Sequence, residues 1–201
     1  MVRLYKSIFF TGRFFIVCGL LVLVALLSWK WPFLYGIVWT AVIALPFILL
    51  ADFILLWSRK GLFARREMME KLSNGDRNEI KIYLENKFPY PVWLRVVDEL
   101  PVQFQARNLT FKAFVGPFGK KMLSYHVRPV RRGEYTFGAV NVLVSTILGL
   151  VERRFLFDND ITVPVYPSFI QMRKYELLAI SHRLVDAGIK KIRRIGTNAE
   201  F

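Results

Sequence analysis

The chain has 201 residues, a formal net charge of +14 and a hydrophobic fraction of 54%. An aromatic content of 15% is too high for a disordered chain. A single cysteine excludes an internal disulfide and a cysteine-based zinc site, and two histidines exclude a histidine-rich metal centre. The long apolar runs are concentrated between residues 14 and 57, so we expect a membrane segment followed by a basic soluble part.

Two apolar runs near the N-terminus predict a pair of transmembrane helices. Residues 14–29 carry no charge, and residues 31–57 carry one, Asp52. A transmembrane helix needs about 20 apolar residues. The second run exceeds that length, and the first reaches it if residues 8–10 join the helix. A cleaved signal peptide is the alternative interpretation, but no pair of small residues suited to cleavage follows the first run.

The positive charges around these runs predict the orientation of the helix pair. Lysine and arginine flank the outer ends of both runs, whereas the connection between them has only Lys30. Because cytoplasmic flanks carry the excess of these residues, we expect the chain in the cytoplasmic membrane with both termini in the cytoplasm. Folding the runs back on each other brings Arg13 level with Asp52, which predicts an intramembrane ion pair. We favour this structural role over transport chemistry, although an intramembrane acid is a functional candidate.

After the apolar runs the sequence pattern changes twice. Residues 58–72 are basic and amphipathic and predict a short helix along the lipid headgroups. Beyond them, apolar residues alternate with polar ones, as in half-buried strands. The predicted strands cover residues 79–86, 91–98, 109–115, 121–128, 133–137, 139–144, 152–157 and 161–165. Turns at intervals of about 8–12 residues are typical of an antiparallel immunoglobulin-like sandwich, with Asp158 and Asp160 in a hairpin turn between the last two strands.

The chain therefore divides into three predicted parts. Residues 1–60 form a two-helix transmembrane hairpin, residues 61–170 an antiparallel β-sandwich domain, and residues 171–201 an amphipathic linker helix with a truncated end. The linker helix is predicted from apolar residues at helical spacing. These residues are Tyr175, Leu178, His182, Val185, Ile189 and Ile192.

The soluble part lacks the sequence motifs of common active sites. There is no G-x-S-x-G nucleophile turn, phosphate-binding glycine loop or H-E-x-x-H metal motif. His126 falls on the outward face of its strand and His182 in the apolar stripe, which favours ordinary exposed and packed side chains over metal ligands. We therefore expect no catalytic residue, cofactor, metal or small-molecule substrate. The positive charge favours an anionic bilayer over an acidic protein partner, and no nucleic-acid recognition motif accompanies it.

Three short motifs occur in an order that resembles a known family. Residues 127–137 read VRPVRRGEYTF, residues 163–168 read VPVYPS, and the sequence ends on Glu200 and Phe201. With two preceding apolar runs, this order resembles the domain-of-unknown-function 58 family of bacterial membrane proteins. In that family a von Willebrand factor A-like domain follows the Glu-Phe pair, so the resemblance implies that this domain is missing here. Residues 146–150, TILGL, keep only the Gly-Leu part of the family's Asp-Pro-Phe-Gly-like turn.

The resemblance implies a function exercised through partners. The family is associated with MoxR-type AAA+ ATPases and with the assembly or maturation of other complexes. We therefore expect a membrane-anchored, non-enzymatic interaction module, with Arg131, Arg132 and Tyr135 as candidate partner contacts. The same run is also a plausible strand entry, in which Gly133 has positive φ or forms a bulge. Two alternatives are a cell-envelope enzyme or maturation factor whose active domain is missing, and a module that binds anionic lipid surfaces.

Overall fold

Two apolar helices precede a set of β-strands in the chain. The computed structural model describes residues 7–57, 61–105, 109–158, 160–168, 172–173 and 175–179. The helices, α1 (Gly12–Ser28) and α2 (Leu34–Leu56), pack against each other. Helix α2 has 23 residues and is long and apolar enough to cross a membrane, whereas α1 has 17 residues. Helix α1 buries no residue within the protein, and α2 buries only Asp52 and Leu56.

The residues just before α1 form a strand and do not extend the helix. The first strand, β1 (Ile8–Phe10), pairs antiparallel with a later strand, and Ile8 lies opposite Arg153. Thr11 is extended, with φ −83° and ψ 163°, so the helix begins only at Gly12. The condition under which the first run reaches the length of a span, that residues 8–10 join the helix, is therefore not met. These apolar residues satisfy their backbone groups at the edge of a sheet, an option that apolarity alone does not distinguish from a helix.

The remaining strands follow α2. They are β2 (Leu62–Glu67), β3 (Leu72–Ser73), β4 (Asn78–Asn86), β5 (Val92–Asp98), β6 (Thr110–Val115), β7 (Lys120–Val127), β8 (Gly133–Phe137), β9 (Val140–Ser145), β10 (Val151–Phe157) and β11 (Ile161–Tyr166). In the described part of the connection between β5 and β6, Val102–Phe104 form a 3-10 turn. The eight strands predicted for the soluble part all occur in the structure, with boundaries that agree to within one residue.

The strands form three sheets in a β-sandwich-like arrangement. A five-stranded sheet has the order β1-β10-β9-β5-β6, and two three-stranded sheets have the orders β2-β4-β7 and β3-β11-β8. All pairings are antiparallel except the short pairing of β3 with β11, where Leu72 lies opposite Val165. Buried residues of all three sheets form one hydrophobic core. The predicted inward residues of β4, β5 and β9 are confirmed as buried: Ile80, Ile82, Leu84, Val92, Leu94, Val96, Val140, Val142 and Val144.

Two predictions about the soluble part are wrong. Residues 62–67 form β2 and not a headgroup helix, and their burial alternates strictly along the strand. The alternation is not visible in the sequence because the charged residue Arg66 occupies one of the buried positions of the strand. The turn at Asp158 and Asp160 does not make a hairpin, since β10 lies between β1 and β9 and has no free edge for β11. The turn instead carries the chain to another sheet, with both aspartates at positive φ (46° and 35°).

The structure describes only the beginning of the predicted C-terminal linker helix. Residues 172–173 and 175–179 are helical, and Tyr175 and Leu178 are exposed. The rest of the predicted linker helix, with the Glu-Phe end, lies outside the described residues.

Candidate functional site

The most constrained polar cluster lies where α2 meets the sandwich. The Asp52 side chain is fully buried, with 0% exposure, near the end of a helix whose other residues, apart from Leu56, are exposed or half-buried. Its carboxylate accepts a hydrogen bond from the Thr146 hydroxyl and backbone N–H bonds from Leu150 (3.1 Å) and Val151 (3.0 Å). A buried carboxylate is costly unless hydrogen bonds replace its hydration. Two donors from the loop before β10 and a third from the first residue of β10 meet that need, so Asp52 fixes the start of β10 to the helix.

The last turn of α2 is bonded to the sandwich as well. The buried Arg153 side chain donates from Nη1 to the Leu56 carbonyl, and the Tyr90 hydroxyl donates to the Leu55 carbonyl. These carbonyls belong to the end of the helix, where no intrahelical donor is available. Burial, and secondarily the negative charge of Asp52, raises the pKa of Tyr90 to about 12. The neutral phenol is therefore the form that the fold retains at neutral pH.

The start of α1 is attached to the same loop. The backbone N–H of Thr11 donates to the Leu150 carbonyl (3.0 Å), and its hydroxyl donates to the Gly149 carbonyl (2.5 Å). Gly149 has φ +62°, a backbone conformation that favours glycine. A Cβ there would lie 2.6 Å from Nη1 at the tip of the Arg13 side chain, so Arg13 lies directly against this residue. We call this region, formed by the start of α1, the end of α2 and residues 146–153 with Tyr90, the junction.

The predicted ion pair between Arg13 and Asp52 is not formed within the described residues. Arg13 lies against Gly149, while the Asp52 carboxylate is occupied by Thr146 and by backbone N–H groups. Both side chains therefore reach the same loop, but at different points. Sequence reasoning identified Asp52 as notable and missed its partners, because Thr146 is 94 positions away and carries no motif.

The second predicted cluster lies at a different place in the sandwich. Arg131 and Arg132 are exposed, as expected of partner contacts. Tyr135 is a core residue with 2% exposure, and its ring packs on Phe104, so it cannot serve as a direct partner contact. Its hydroxyl donates to the Arg131 carbonyl at 3.0 Å, four residues upstream, in the manner of a tyrosine corner. Gly133 has φ +136°, which confirms the expected positive φ.

The two arginines lie beside the point where the chain leaves the sandwich. Arg132 shares a groove of about 280 Å³ with Asn74, Gly75, Ser168 and Tyr175. Behind it, Asp76 accepts hydrogen bonds from the hydroxyls of Ser73 and Ser168, which lower the pKa of Asp76. We call this region the distal end.

Strand β4 separates the distal end from the junction. Asn78 at its start bonds to the Ser73 and Asp76 carbonyls, and Asn86 at its end bonds to the Tyr90 carbonyl at 3.0 Å. At about 3.4 Å per residue, nine residues place the two regions about 30 Å apart. The R-R-G-x-Y and V-Y-P motifs thus lie together, away from the helices.

A buried ion pair lies between the two regions, in the core. Arg66 and Asp98 pair with both side chains fully buried, and the Tyr125 hydroxyl donates to the same carboxylate. Arg66 Nη2 also donates to the Gly138 carbonyl at 2.8 Å, and its guanidinium lies over the Phe137 ring. Burial, with the Asp98 charge and hydrogen bond, raises the pKa of Tyr125 well above its usual range. These contacts tie β2, β5 and β7 together, which is a structural role.

Two sequence predictions concern metal binding and the two histidines. Among the described residues, no group of three or more histidine, cysteine, aspartate or glutamate side chains could hold a metal ion. His126 is exposed, as predicted from its place on the outward face of β7. His182 lies outside the described residues.

The fold and the junction together define a β-sandwich-like domain bonded to the end of an exposed apolar helix. No family model matches the chain. The chain is similar to an uncharacterized protein, YeaD, of Bacillus subtilis (strain 168), with 34% identity over 140 residues, or 66% of this chain. It spans about a third of that relative's length, because the match covers 35% of it.

Three solved structures are similar to about half of the chain. The CARDB domain of PF1109 from Pyrococcus furiosus has a TM-score of 0.35 and 15% identity, covering 52% of this chain and 94% of that one. The PapD-like domain 7 of human CEP192 has a TM-score of 0.38 and 14% identity, covering 54% and 87%. A native alpha-2-macroglobulin fragment of Escherichia coli has a TM-score of 0.39 and 16% identity, covering 53% and 16%. With these TM-scores below 0.5, the fold description rests on the strand pairings alone.

Proposed function

We propose that this chain is a membrane-anchored, non-enzymatic interaction module. In this proposal α1 and α2 form a hairpin in the cytoplasmic membrane, both termini are cytoplasmic, and an immunoglobulin-like sandwich presents its distal end to a protein partner. The observation that carries the proposal is the contrast within α2. Its apolar surface is left uncovered, while its single charged residue, Asp52, is buried in the sandwich.

The uncovered surface argues for lipid around the helices. Each large apolar side chain gains about 1.5–3 kcal/mol when it leaves water, and α2 exposes many such side chains, including Ile37, Trp39, Phe47 and Ile54. A core helix of a soluble domain would be covered by protein. A signal peptide cleaved after the first apolar run would remove β1, which pairs with β10, and Thr11, which bonds to the Leu150 carbonyl.

Helix lengths are compatible with a hairpin. At 1.5 Å per residue, α2 is about 34 Å long and α1 about 26 Å, against a hydrocarbon core of about 30 Å. A shorter helix is accommodated by local thinning of the bilayer and by snorkelling of flanking residues. Arg13 and Lys30, at the two ends of α1, are suited to that role.

The distal end supports a role in partner binding. Arg131 and Arg132 are exposed on a loop that a positive-φ glycine and the Tyr135 hydroxyl hold in one conformation. Neither side chain has an ion-pair or hydrogen-bond partner in the described part of the chain. Pre-organised arginines with free donors are well suited to acidic protein surfaces. From the resemblance to the domain-of-unknown-function 58 family, we propose a MoxR-type AAA+ ATPase as this partner.

Cysteine labelling tests the topology. In a Cys18→Ala background, a cysteine at Trp31 should react with an impermeant reagent on intact cells, because the helix connection faces outward. A cysteine at Lys121, on the exposed face of β7, should react only after the membrane is permeabilised. Labelling of Lys121→Cys from outside would contradict the orientation, and protection of Trp31→Cys in both states would contradict the hairpin.

A binding measurement with purified components tests the partner. The Arg131→Glu, Arg132→Glu variant should bind a purified MoxR-type ATPase at least tenfold more weakly than the wild type, since two charges are reversed at the contact. The matched control is Lys120→Glu, Lys121→Glu, which reverses two charges on β7. Equal weakening in both variants, or none in either, would contradict the distal end as the binding surface.

A further inference from the structure

An open groove of about 430 Å³ lies beside the junction, between α1 and the sandwich. One wall is the first turn of α1, with Arg13 and Ile16. The other is the outward face of the five-stranded sheet, with Trp93, Arg95, Lys112 and Glu152. The groove shares Thr11, Arg13, Gly149 and Glu152 with the junction, but Asp52 and its three donors do not line it, and it does not reach the distal end.

The groove has an excess of positive charge. Arg95 is neutralised by Glu152, whose two carboxylate oxygens lie 2.5 and 2.7 Å from Arg95 Nη2. The side chains of Arg13 and Lys112 have no ion pair or hydrogen bond within the described residues, and both are exposed. Two unneutralised cations from different elements therefore face one cavity, which is the charge pattern that attracts a phosphate group.

The remaining walls are apolar and aromatic. Ile16 is 64% exposed on α1, and Trp93 is 47% exposed on β5. The Trp93 ring packs on the Phe114 ring at a centroid distance of 4.8 Å, which gives a broad aromatic surface next to the cations. Tryptophan beside arginine or lysine is typical of the interface between lipid headgroups and acyl chains.

The position of the groove follows from the helix that forms its wall. Arg13 is the second residue of α1, so a hairpin embedded in a bilayer places Arg13 at the boundary of the hydrocarbon and Ile16 one turn deeper. The groove then opens at the depth of the phosphates of the cytoplasmic leaflet.

We infer that this groove binds the phosphate of an anionic phospholipid. Arg13 and Lys112 contact the phosphate oxygens, Trp93 covers the glycerol region, and Ile16 contacts the upper acyl chain. The inference rests on the proposed function, since it requires the hairpin to be in the bilayer. It goes beyond it by assigning a specific lipid site to one face of the sandwich.

The test uses the full chain in detergent micelles, with phosphatidylglycerol, phosphatidylcholine or inorganic phosphate added. Phosphatidylglycerol should raise the unfolding temperature of the wild type in a saturable manner, and the other two should not at equal concentration. The Arg13→Gln, Lys112→Gln variant should lose affinity for phosphatidylglycerol by about fivefold per charge removed. The matched control, Arg131→Gln with Lys121→Gln, removes two exposed cations elsewhere and should keep the wild-type affinity.

Several outcomes would overturn the inference. Equal losses in both variants would mean diffuse attraction by net charge, and an equal effect of phosphatidylcholine would exclude recognition of an anion. An equal effect of inorganic phosphate would assign the groove to a small anion and not to a lipid. If the double variant has a lower unfolding temperature than the wild type without added lipid, the single variant Lys112→Gln, on the strand surface, replaces it. Unchanged phosphatidylglycerol affinity in Lys112→Gln would then overturn the inference.

Extraction of membranes with alkaline carbonate separates this inference from the proposed function. Release of the wild type by carbonate would contradict the membrane hairpin itself. Retention of the wild type, together with unchanged phosphatidylglycerol affinity in the double variant, would contradict only the lipid site.

Discussion

The junction and the distal end both contain an aspartate that accepts hydrogen bonds from hydroxyl groups, yet the two regions differ in what surrounds that aspartate. At the junction, Asp52 is fully buried, and its three donors come from Thr146, Leu150 and the first residue of β10, which are distant in sequence. At the distal end, Asp76 is half-buried and bonds to Ser73 and Ser168. The first arrangement makes a rigid attachment, because an unbonded carboxylate there is costly. At the distal end, the neighbouring Arg131 and Arg132 remain exposed to solvent.

The largest effect should come from the ion pair that lies between the two regions. Asp98→Ala leaves the Arg66 guanidinium buried without its counter-charge, and breaking such a pair costs about 3–5 kcal/mol. Chemical denaturation of the full chain in micelles should show the loss. Replacing both partners, as Arg66→Met with Asp98→Leu, should restore much of it, because an apolar pair leaves no buried charge. A double variant as unstable as Asp98→Ala would contradict the uncompensated buried charge as the cause of the loss.

The next largest effect separates the junction from the distal end. Asp52→Asn removes the negative charge that accepts from the Leu150 and Val151 N–H groups, and hydrogen bonds to a charged group contribute about 1.5–3 kcal/mol each, more than those to a neutral amide oxygen. Asp76→Asn is the matched control and should cost less, because Asp76 is in contact with water. Thermal unfolding of the full chain in micelles measures both. Exchanging the charges, as Arg13→Asp with Asp52→Arg, should not rescue the junction, and recovery would revive the ion pair of the sequence prediction.

A smaller effect concerns alkaline pH at the junction. The pKa of Tyr90 is raised from 10 to about 12, so the fold favours the neutral phenol. The stabilisation is complete below pH 10 and is lost as the pH rises through about 12, where the folded protein also ionises. In Tyr90→Phe this part of the pH dependence should disappear between pH 10 and 12, whereas Tyr166→Phe should keep it. An unchanged slope in Tyr90→Phe would mean that other groups govern alkaline unfolding.

The smallest effect on stability should come from the distal arginines. Surface charges without partners contribute little to folding, so Arg131→Glu with Arg132→Glu should shift the unfolding temperature by no more than a few degrees. Tyr135→Phe, which removes one hydrogen bond to the Arg131 carbonyl, should cost about 1 kcal/mol. A large loss of stability in the arginine variant would assign both side chains to the fold and leave the partner surface unlocated.

The sequence predicts most strands because alternation is a direct consequence of one buried face. Residues 80, 82 and 84 illustrate this, since each is apolar, each is buried, and the residues between them are polar or exposed. Strand β2 is not predicted from alternation because Arg66 occupies an inward position, where Asp98 from another strand neutralises its charge. Strand β1 is not predicted because its three apolar residues directly precede an apolar helix and look like part of the same run. In both strands the deciding contact is tertiary.

The candidate sites were predictable to different degrees. Gly133 and Tyr135 belong to one short motif, and the sequence predicted the positive φ although not the burial of the tyrosine. Asp52 stands out as a lone acid in an apolar run, but its donors are backbone groups of residues 150 and 151, which no side-chain pattern identifies. The groove of Arg13 and Lys112 combines residues 99 positions apart and becomes visible only when α1 is placed against the sheet.

Hydrogen exchange of the backbone amides of Leu150 and Val151 tests the central claim most directly, namely that the sandwich is fixed to the end of α2 through Asp52. In the full chain in micelles, both amides should be protected as strongly as the core amides of β9. Asp52→Ala should remove that protection selectively and leave the β4 and β9 amides unchanged. Amides that exchange rapidly in the wild type, or that stay protected in Asp52→Ala, would contradict the claim.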